Sequence, residues 1–343
     1  MKKTIFFIIL IALVCSCNSD PAPNITEKAQ GSIEGKTMGT IYRITYLGKS
    51  IAALKTEVDS LLVKINEEVS TYEKEAIISL FNQSKDGVEL NEKEHAHFLT
   101  NYKAAIDIYQ STNGYFDPTV MPLVNYWGFG YTGKEAIRQV DSLKVKDLQK
   151  VVGMDRVVDL KETLMLSKIA PDVQLDFSAH AKGYGVDMVC DLLEQKGVTD
   201  YFVEIGGEVR TKGKNKRGTF WTIGINTPDE EARLTDFMFL LQVKNEAVAT
   251  SGNYRNVYEI GGVKYSHTIN PFSGFPERNR LLSATVIAAD CMTADGFATA
   301  FMTMGLDKAF ELAVNNPAIE AAFIYSDADG KIEVKYTDGV TMI

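Results

Sequence analysis

Cysteine and long basic runs are both scarce in this chain. Its 343 residues include four cysteines, and none lies in a CxxC pair or at a Cys/His spacing typical of structural zinc. The net charge is −9, and the short basic stretch KGKNKRG (212–218) is interpreted as a solvated loop. Because lysine and arginine contacts to phosphate dominate the affinity for nucleic acid, no nucleic-acid-binding function is expected. A single small anionic ligand is not excluded, because a bound metal ion can reverse the local field.

Internal repeats and linkers are also missing after residue 31. The order of predicted elements has no regular alternation of strand and helix, which excludes a simple parallel α/β architecture. The composition, 45% hydrophobic and 24% charged, is that of a globular protein with a sizeable core. These features predict a strand-rich α+β fold with one compact domain.

The N-terminal residues have the pattern of an export signal. MKKTIFFIILIALVCSC begins with two lysines and continues through an apolar run that is too short to span a bilayer comfortably. Residues 14–17 (VCSC) resemble a bacterial lipobox, which implies cleavage before Cys17 and lipid attachment to its thiol. An ordinary signal peptide or a short uncleaved anchor are the alternatives. The predicted organisation is a signal peptide (1–16), a lipidated polar tether (17–30) and one domain (31–343).

Two cysteines remain in the mature chain, Cys190 and Cys291. An exported protein can pair its cysteines, but each of these lies in a predicted buried helix. Two free, buried thiols are therefore favoured over a disulfide.

Hydrophobic periodicity predicts the secondary structure. Residues 113–130 are too rich in Gly, Pro and aromatics for either period and predict a long structured loop. Residues 173–197 predict a strand, a turn and then a helix. Strands and hairpins are predicted at 39–48, 156–167, 200–213, 220–228, 237–252, 256–271 (turn at Gly261–Gly262), 281–290 and 321–336. Further helices are predicted at 50–69, 91–111, 144–153, 291–305 and 307–316.

Asp295 and Thr299 lie one turn apart in the apolar helical stretch CMTADGFATAFMTMG. They share a helix face with small residues, so that face is expected to be dry. A lone buried carboxylate is costly unless it is paired or binds a cation, and a hard oxygen pair suits Mg²⁺. The alternative is that Thr293 or Asp295 caps the first turn of the helix.

The stretch LDFSAHAKGYGVD offers a second candidate site. Asp176 is expected to end a hydrophobic strand, and the helix that follows would present free N–H groups to an anion, with Lys182 adding positive charge. The alternative is an ordinary strand-to-helix turn.

Three weaker candidates remain. His267, in SHTINP, is a possible general acid or base, although a single histidine at a strand end is more often structural. Gly206–Gly207 permits close approach of a ligand, or forms a plain turn. Arg255, in a polar turn, is either a phosphate contact or a surface residue.

Taken in order, these segments resemble one family. The relevant motifs are MGT (38–40), GYFD (114–117), LDFSAHAKGY (175–184), IGG (205–207), ATSG (249–252), HTINP (267–271) and AD (294–295). The set resembles ApbE, the bacterial FAD:protein FMN transferases, over roughly residues 31–340. Each motif is weak alone, but their order is specific.

The resemblance implies a T-fold-like α+β architecture, with mixed or antiparallel sheets flanked by helices, and a defined activity. Such enzymes cleave FAD at its pyrophosphate and attach FMN to a threonine of a target protein, releasing AMP. The implied partners are FAD, Mg²⁺ and a flavoprotein subunit of an exported or membrane redox complex. Anchoring would place the catalytic domain on the periplasmic side of a bacterial membrane, expected to be the inner one.

The family's site residues carry over by position. Asp295 and Thr299 match magnesium ligands, and Ala179 matches a position whose carbonyl binds the same ion. His267 matches a histidine implicated in deprotonating the acceptor hydroxyl. Positions matching residues near FAD are Met38, Tyr72, Tyr115, Phe116, Asp117, Asp176, Lys182 and Ile269.

The chain departs from the family pattern at three positions. Some members carry an acid at Ala298 or at Lys182, and many have an apolar residue at His180, for which the sequence offers no explanation. Two other functions remain open: an FAD pyrophosphatase that releases FMN and AMP, and a non-catalytic flavin-binding lipoprotein.

Overall fold

The structure is a computed structural model of the chain. It describes residues 29–132, 139–160, 164–229, 232–233, 235–253, 257–260 and 263–343. The predicted signal peptide, Cys17, Arg255 and the Gly261–Gly262 turn lie outside the described residues. Across the described ranges, no helix is both long and apolar enough to span a bilayer.

Strands make up most of the regular structure. In chain order they are β1 (Gln30–Thr37), β2 (Thr40–Leu47), β3 (Gly87–Glu89), β4 (Val157–Leu160), β5 (Met165–Lys168), β6 (Tyr201–Ile205), β7 (Glu208–Lys212), β8 (Trp221–Asn226), β9 (Phe237–Val243), β10 (Ala247–Gly252), β11 (Val257–Ile260), β12 (Val263–Ser266), β13 (Leu281–Ala288), β14 (Ile319–Ser326) and β15 (Ile332–Tyr336).

Eight strands form one antiparallel sheet in the order β1-β2-β6-β7-β10-β13-β14-β15. Antiparallel neighbours are joined by hairpins, as at β1–β2, β6–β7 and β14–β15, so the sequence needs no helical crossover there. Smaller sheets are β3-β5-β4, β8-β9 and β11-β12.

The helices are α1 (Leu54–Val69), α2 (Ile77–Gln83), α3 (Ala96–Ser111), α4 (Met121–Tyr126), α5 (Ser142–Gln149), α6 (Ala181–Gln195), α7 (Cys291–Met304) and α8 (Leu306–Asn315). α7 packs on β10 and β13, and the β8–β9 ribbon covers the other face of the sheet. β13 is therefore buried on both faces, which explains its nearly continuous apolar sequence.

α6 and α7 approach each other closely at Gly183. A Cβ at this position would lie 2.3 Å from the Cys291 carbonyl oxygen, so no other residue fits without a shift of the backbone. Cys190 and Cys291 are both free and buried in these helices, as predicted. The close contact brings the start of α6 against the first turns of α7.

The predicted α+β architecture and most of the elements are confirmed, but three local predictions are wrong. The 113–130 segment contains the short helix α4, and the helix predicted from residue 91 begins at Ala96. Residues 173–176 form no strand. Instead the backbone of Leu175 pairs with the side chain of Asn82, at 2.7 and 2.8 Å, and the Asp176 N–H donates to the Pro118 carbonyl. These partners satisfy an extended segment without a neighbouring strand.

Candidate active site

Asp290 caps the N-terminus of α7. Its carboxylate accepts hydrogen bonds from the Thr293 backbone N–H at 2.8 Å and from the Thr293 hydroxyl at 3.0 Å. The alternative interpretation, in which Thr293 or Asp295 caps the helix, is therefore wrong. Asp295 is instead 2% exposed in the second turn, and it is available for other contacts.

The start of α6 supplies the first partner of Asp295. The Gly183 N–H donates to Asp295 Oδ2 at 3.0 Å, and the Ala181 N–H donates to the Phe177 carbonyl at 2.8 Å. The expectation of free N–H groups is wrong for Ala181 and Gly183, because both groups are occupied within the protein. The α6 terminus orients a carboxylate of its own chain instead.

Three further oxygen ligands line the same cavity as the Asp295 carboxylate. The Thr299 hydroxyl lies 3.5 Å from the Ala179 carbonyl oxygen and 3.3 Å from the Ser251 hydroxyl. One carboxylate, two hydroxyls and a carbonyl form a hard oxygen set, which suits Mg²⁺ better than zinc. No cluster of three or more His, Cys, Asp or Glu side chains suited to a metal occurs in the part of the chain that the structure describes. Mg²⁺ commonly uses few protein ligands, together with water and phosphate, so the donor set fits this ion.

A second buried carboxylate, Glu208, belongs to the site. It opens β7 immediately after the Gly206–Gly207 turn and is 4% exposed. Lys182 lies between the two acids, with its Nζ 3.4 Å from Glu208 Oε1 and 3.7 Å from Asp295 Oδ2. Sequence analysis missed Glu208, although its position directly after a paired-glycine turn was a usable signal.

Burial shapes the protonation of this three-charge cluster. Desolvation raises the pKa of the Glu208 carboxyl to about 8, against the opposing effect of the Lys182 ammonium. Desolvation likewise raises the pKa of Asp295, again opposed by Lys182. For Lys182 burial lowers the pKa, but the charges of Asp295 and Glu208 outweigh it and the net shift is upward. The site therefore favours a positive charge among the carboxylates.

Glu208 retains an unused acceptor. Its Oε2 is buried and makes no hydrogen bond within the described residues. A buried carboxylate oxygen without a donor is costly, and it is rare in native structures except where a ligand, ion or water completes it. This orphan oxygen supports a cation or a polar substrate group in the adjacent cavity.

Two adjoining cavities contain every site residue that the family resemblance implied and that the structure describes. The larger, about 990 Å³, is lined on one side by Met38 in the β1–β2 turn. The smaller, about 620 Å³, contains the oxygen set. Tyr72, Asp176 and Lys182 lie in the walls of both. Residues of the smaller cavity alone include Tyr115, Phe116, Asp117, Ala179, Glu208, His267, Ile269, Asp295 and Thr299.

The aromatic residues do not form one slot. Tyr72 is 69% exposed at the boundary of the cavities, and Met38 joins it only in the larger one. Phe116 is 3% exposed and packs edge-on against the His180 ring at 5.5 Å. Phe116 is therefore mainly a core residue that lines only the smaller cavity, whereas Met38 lines only the larger one.

Asp117 and Asp176 are both held by local hydrogen bonds. Asp117 Oδ1 accepts from the Thr119 N–H and hydroxyl at 2.8 and 2.6 Å. Burial raises the pKa of Asp117 to about 6. Asp176 accepts from the Ser178 N–H and hydroxyl, each at 2.9 Å, and burial raises its pKa as well. These bonds fix turns in the cavity walls.

Comparison with known proteins agrees with this assembly. The model of the ApbE family matches residues 38–323. The chain belongs to the ApbE family. It is 39% identical over 305 residues to a protein of Vibrio cholerae named FAD:protein FMN transferase, covering 88% of this chain and 89% of that one. A Haemophilus influenzae protein of the same name is 39% identical over 323 residues, covering 92% and 91%.

Solved ApbE structures share the fold. The flavin transferase ApbE of Vibrio cholerae matches with a TM-score of 0.81 and 36% identity, covering 91% of this chain and 98% of that one. The apo form of the Pseudomonas stutzeri flavinyl transferase ApbE matches with a TM-score of 0.79 and 30% identity, covering 91% and 95%.

The packing of this chain also accounts for His180, for which the sequence offered no explanation. The ring is fully buried between Phe116 and Phe177, and Nε2 lies 3.2 Å from the Asn101 carbonyl oxygen. Burial lowers the pKa of His180 to about 4, so the ring is neutral at physiological pH. His180 is a core residue at the start of α6.

His267, the other histidine of interest, is half-buried in the smaller cavity. Its ring lies edge-on to Phe129, with 6.3 Å between ring centroids. It therefore shares a cavity with Asp295, as the ApbE resemblance implied.

Proposed function

We propose that this chain transfers FMN from FAD to a threonine hydroxyl of a target redox protein, with Mg²⁺, and releases AMP. Flavin transfer and the transferase class are supported by its membership of the ApbE family and by the names of its relatives. The observation that supports the metal-dependent chemistry is the oxygen set of Asp295, Thr299 and Ala179 beside Lys182. The oxygen set lies in the smaller of the two adjoining cavities, and Lys182 lies in the walls of both. Together the cavities have room for a dinucleotide.

The bond changes in this reaction are simple. The acceptor hydroxyl oxygen bonds to the FMN phosphorus, and the bond from that phosphorus to the bridging oxygen breaks, so that oxygen leaves with AMP. Phosphoryl transfer of this kind depends on positioning and charge neutralisation rather than on covalent work by the protein. When bound, Mg²⁺ would neutralise phosphate charge and polarise the phosphorus–oxygen bonds.

Each proposed site residue would have a distinct role in the reaction. Asp295, Thr299 and the Ala179 carbonyl would hold the ion, and the Lys182 ammonium would face the pyrophosphate. His267 would take the proton of the acceptor hydroxyl, since it is a half-buried imidazole in the same cavity. Met38 and Tyr72 in the larger cavity, with Ile269 and Tyr115 in the smaller one, would contact the nucleotide.

The proposed partner and location rest on the family resemblance and on the N-terminal sequence pattern. A lipobox ending at Cys17 supports a lipid-anchored enzyme on the periplasmic side of a bacterial membrane, with the inner membrane expected. The acceptor would be a flavoprotein subunit of a membrane or exported redox complex.

One experiment tests the proposal directly. Incubation with FAD, Mg²⁺ and a candidate acceptor subunit should give a fluorescent flavin band on a denaturing gel and free AMP. Asp295→Asn should abolish the band and weaken FAD binding in the presence of Mg²⁺. Asp307→Asn is the matched control, because Asp307 is exposed on the next helix.

The outcomes separate the competing functions. Release of free FMN and AMP without a labelled acceptor would mean a pyrophosphatase. Flavin binding with no AMP released would mean a non-catalytic binding protein. Normal turnover by Asp295→Asn would refute the metal role.

A further inference from the structure

Residue 29, the first that the structure describes, lies near the basic stretch formed by residues 212–218. The Ala29 carbonyl accepts a hydrogen bond from the Gly48 N–H at 2.8 Å, and the adjacent Leu47 N–H donates to the Asp200 carbonyl at 2.9 Å. The Asp200 carboxylate in turn accepts from the Lys214 N–H at 2.8 Å. These consecutive bonds place residues 212–218, the basic loop, next to the point where residues 1–28 join the fold.

The basic loop has a defined backbone. The Arg217 N–H donates to Asn215 Oδ1 at 2.9 Å, and the Gly213 N–H donates to Asn245 Oδ1 at 2.7 Å. Asn215 also bonds Thr219 at 2.8 Å through its side-chain amide. The loop is therefore held in one shape by side-chain hydrogen bonds of Asn215 and Asn245.

Three cationic side chains of the loop are available to a partner. Lys214, Lys216 and Arg217 are exposed, and none of them forms an ion pair with any described residue. Lys212 differs, because its Nζ pairs with Glu194 at 2.6 Å. Two further exposed lysines lie nearby, Lys49 and Lys244, together with two half-buried acids, Asp200 and Glu246. The patch is net positive on a chain whose net charge is −9.

The basic loop and the catalytic cavity lie at opposite ends of the same hairpins. In β6–β7, the turn at Gly206 lines the smaller cavity, whereas Lys212 is at the far end. In β1–β2, the turn at Met38 lines the larger cavity, and Ala29 is at the far end. The eight residues of β1 separate the two ends by about 26 Å, at ~3.3 Å per residue.

We propose that the basic loop is a membrane-facing surface that binds anionic lipid headgroups and points the catalytic cavity away from the bilayer. The inference rests on the proposed lipid anchor at Cys17. Residues 18–29 can span at most about 40 Å even when fully extended, so the anchor would keep the basic loop near the lipid surface. Attraction to headgroups is screened beyond roughly 8 Å, so the charges act only in contact.

The strength of the orientational preference follows from the three cations of the loop that form no ion pair. Near an anionic membrane surface, three such residues favour the orientation in which the basic loop contacts the bilayer. Its population should exceed that of orientations that leave the three residues in water by on the order of a hundredfold. The cavity would then open toward the aqueous side, at a height set by the length of the β1–β2 hairpin. The acceptor threonine must accordingly be presented by a domain that projects from the membrane.

The test uses the full lipidated protein reconstituted into phosphatidylcholine vesicles with or without phosphatidylglycerol. The lipid anchor retains the protein on both kinds of vesicle, so any difference reports orientation. Backbone amide exchange in residues 213–219 should be slower on the anionic vesicles. The triple variant K214E/K216E/R217E should remove that difference, and high salt should do the same.

A matched variant controls for net charge. K144E/K146E/K150E changes the net charge by the same amount at exposed lysines in or next to α5, which packs against α4. It should keep the slow exchange on anionic vesicles. Equal exchange on both vesicles, or equal loss in both triple variants, would overturn the role of the loop.

Mass spectrometry of the N-terminal peptide separates the two proposals. An unmodified Cys17 would overturn the anchoring, and with it the orientation. A lipidated chain without loop protection would overturn only the orientation. Neither outcome bears on FMN transfer, which the gel assay measures independently.

Discussion

Removal of the Glu208 charge tests whether this carboxylate strengthens the binding of a divalent cation at the proposed site. Glu208→Gln keeps the shape of the side chain but leaves Lys182 with Asp295 as its remaining close acidic partner in the cluster. Lys182 and Asp295 would then form a closed pair, and a divalent cation would have to compete with the ammonium for the carboxylate. The variant should therefore bind Mg²⁺ more weakly.

The magnitude can be worked from the two distances. The 3.4 and 3.7 Å separations from Lys182 Nζ place Glu208 Oε1 and Asp295 Oδ2 at most about 7 Å apart. A divalent charge at the Asp295 carboxylate would gain ~1.2 kcal/mol from Glu208 with water-like screening, and ~4.7 kcal/mol at an effective dielectric constant of ~20. Loss of the charge should weaken Mg²⁺ binding by at least about sevenfold.

Calorimetric titration with Mg²⁺ at pH 9 is the assay. This pH lies above the raised pKa of Glu208, about 8, so the wild-type carboxylate is charged there. Glu204→Gln is the matched control, because Glu204 lies in the same hairpin but faces Arg43 at 3.7 Å. Lys182→Met combined with Glu208→Gln should recover part of the loss. Equal Mg²⁺ affinity in the wild type and in Glu208→Gln would refute the reasoning.

Two further predictions concern stability and the acceptor proton. Lys168 donates to the carbonyls of Phe81, Asn82 and Val173, so Lys168→Met should lower the free energy of unfolding by ~2–4 kcal/mol in urea titrations. Desolvation lowers the pKa of Lys168 to about 8, so the unfolded chain binds more protons between pH 8 and the ordinary value of 10.5, and this group's contribution to stability should rise with pH there. His267→Ala should slow FMN transfer more than it weakens FAD binding; equal losses in both measurements would mean that His267 only binds.

Local patterns predicted the part of the site that depends on one element. Asp295 and Thr299 are four residues apart, and helical geometry alone places them on one face. The apolar neighbours correctly indicated that the face is buried. The cap could not be assigned with the same certainty, since Asp290, Thr293 and Asp295 all carry side chains that can cap a helix.

The other parts of the site depend on contacts between segments that are distant in the sequence. Glu208 reaches the site because β7 lies beside α6 and α7, and nothing within its own strand indicates that Lys182 will meet it there. In the segment 173–176, a distant contact instead made a local prediction of secondary structure wrong. Its apolar residues predict a strand, yet the deciding partner is the Asn82 side chain, which is 93 residues away from Leu175.

The three-charge cluster explains how an oxygen site can remain folded before a cation binds. Two buried carboxylates repel each other, and Lys182 lies within 4 Å of both and supplies a counter-charge, although burial still raises the pKa of Glu208 to about 8. Lys182 is also the most exposed member, with 28% of its side chain accessible. A cation at Asp295 would repel this ammonium, and Glu208 would retain it at the cavity wall. The same lysine would thus stabilise the empty site and, once displaced from Asp295, face the phosphates of the nucleotide.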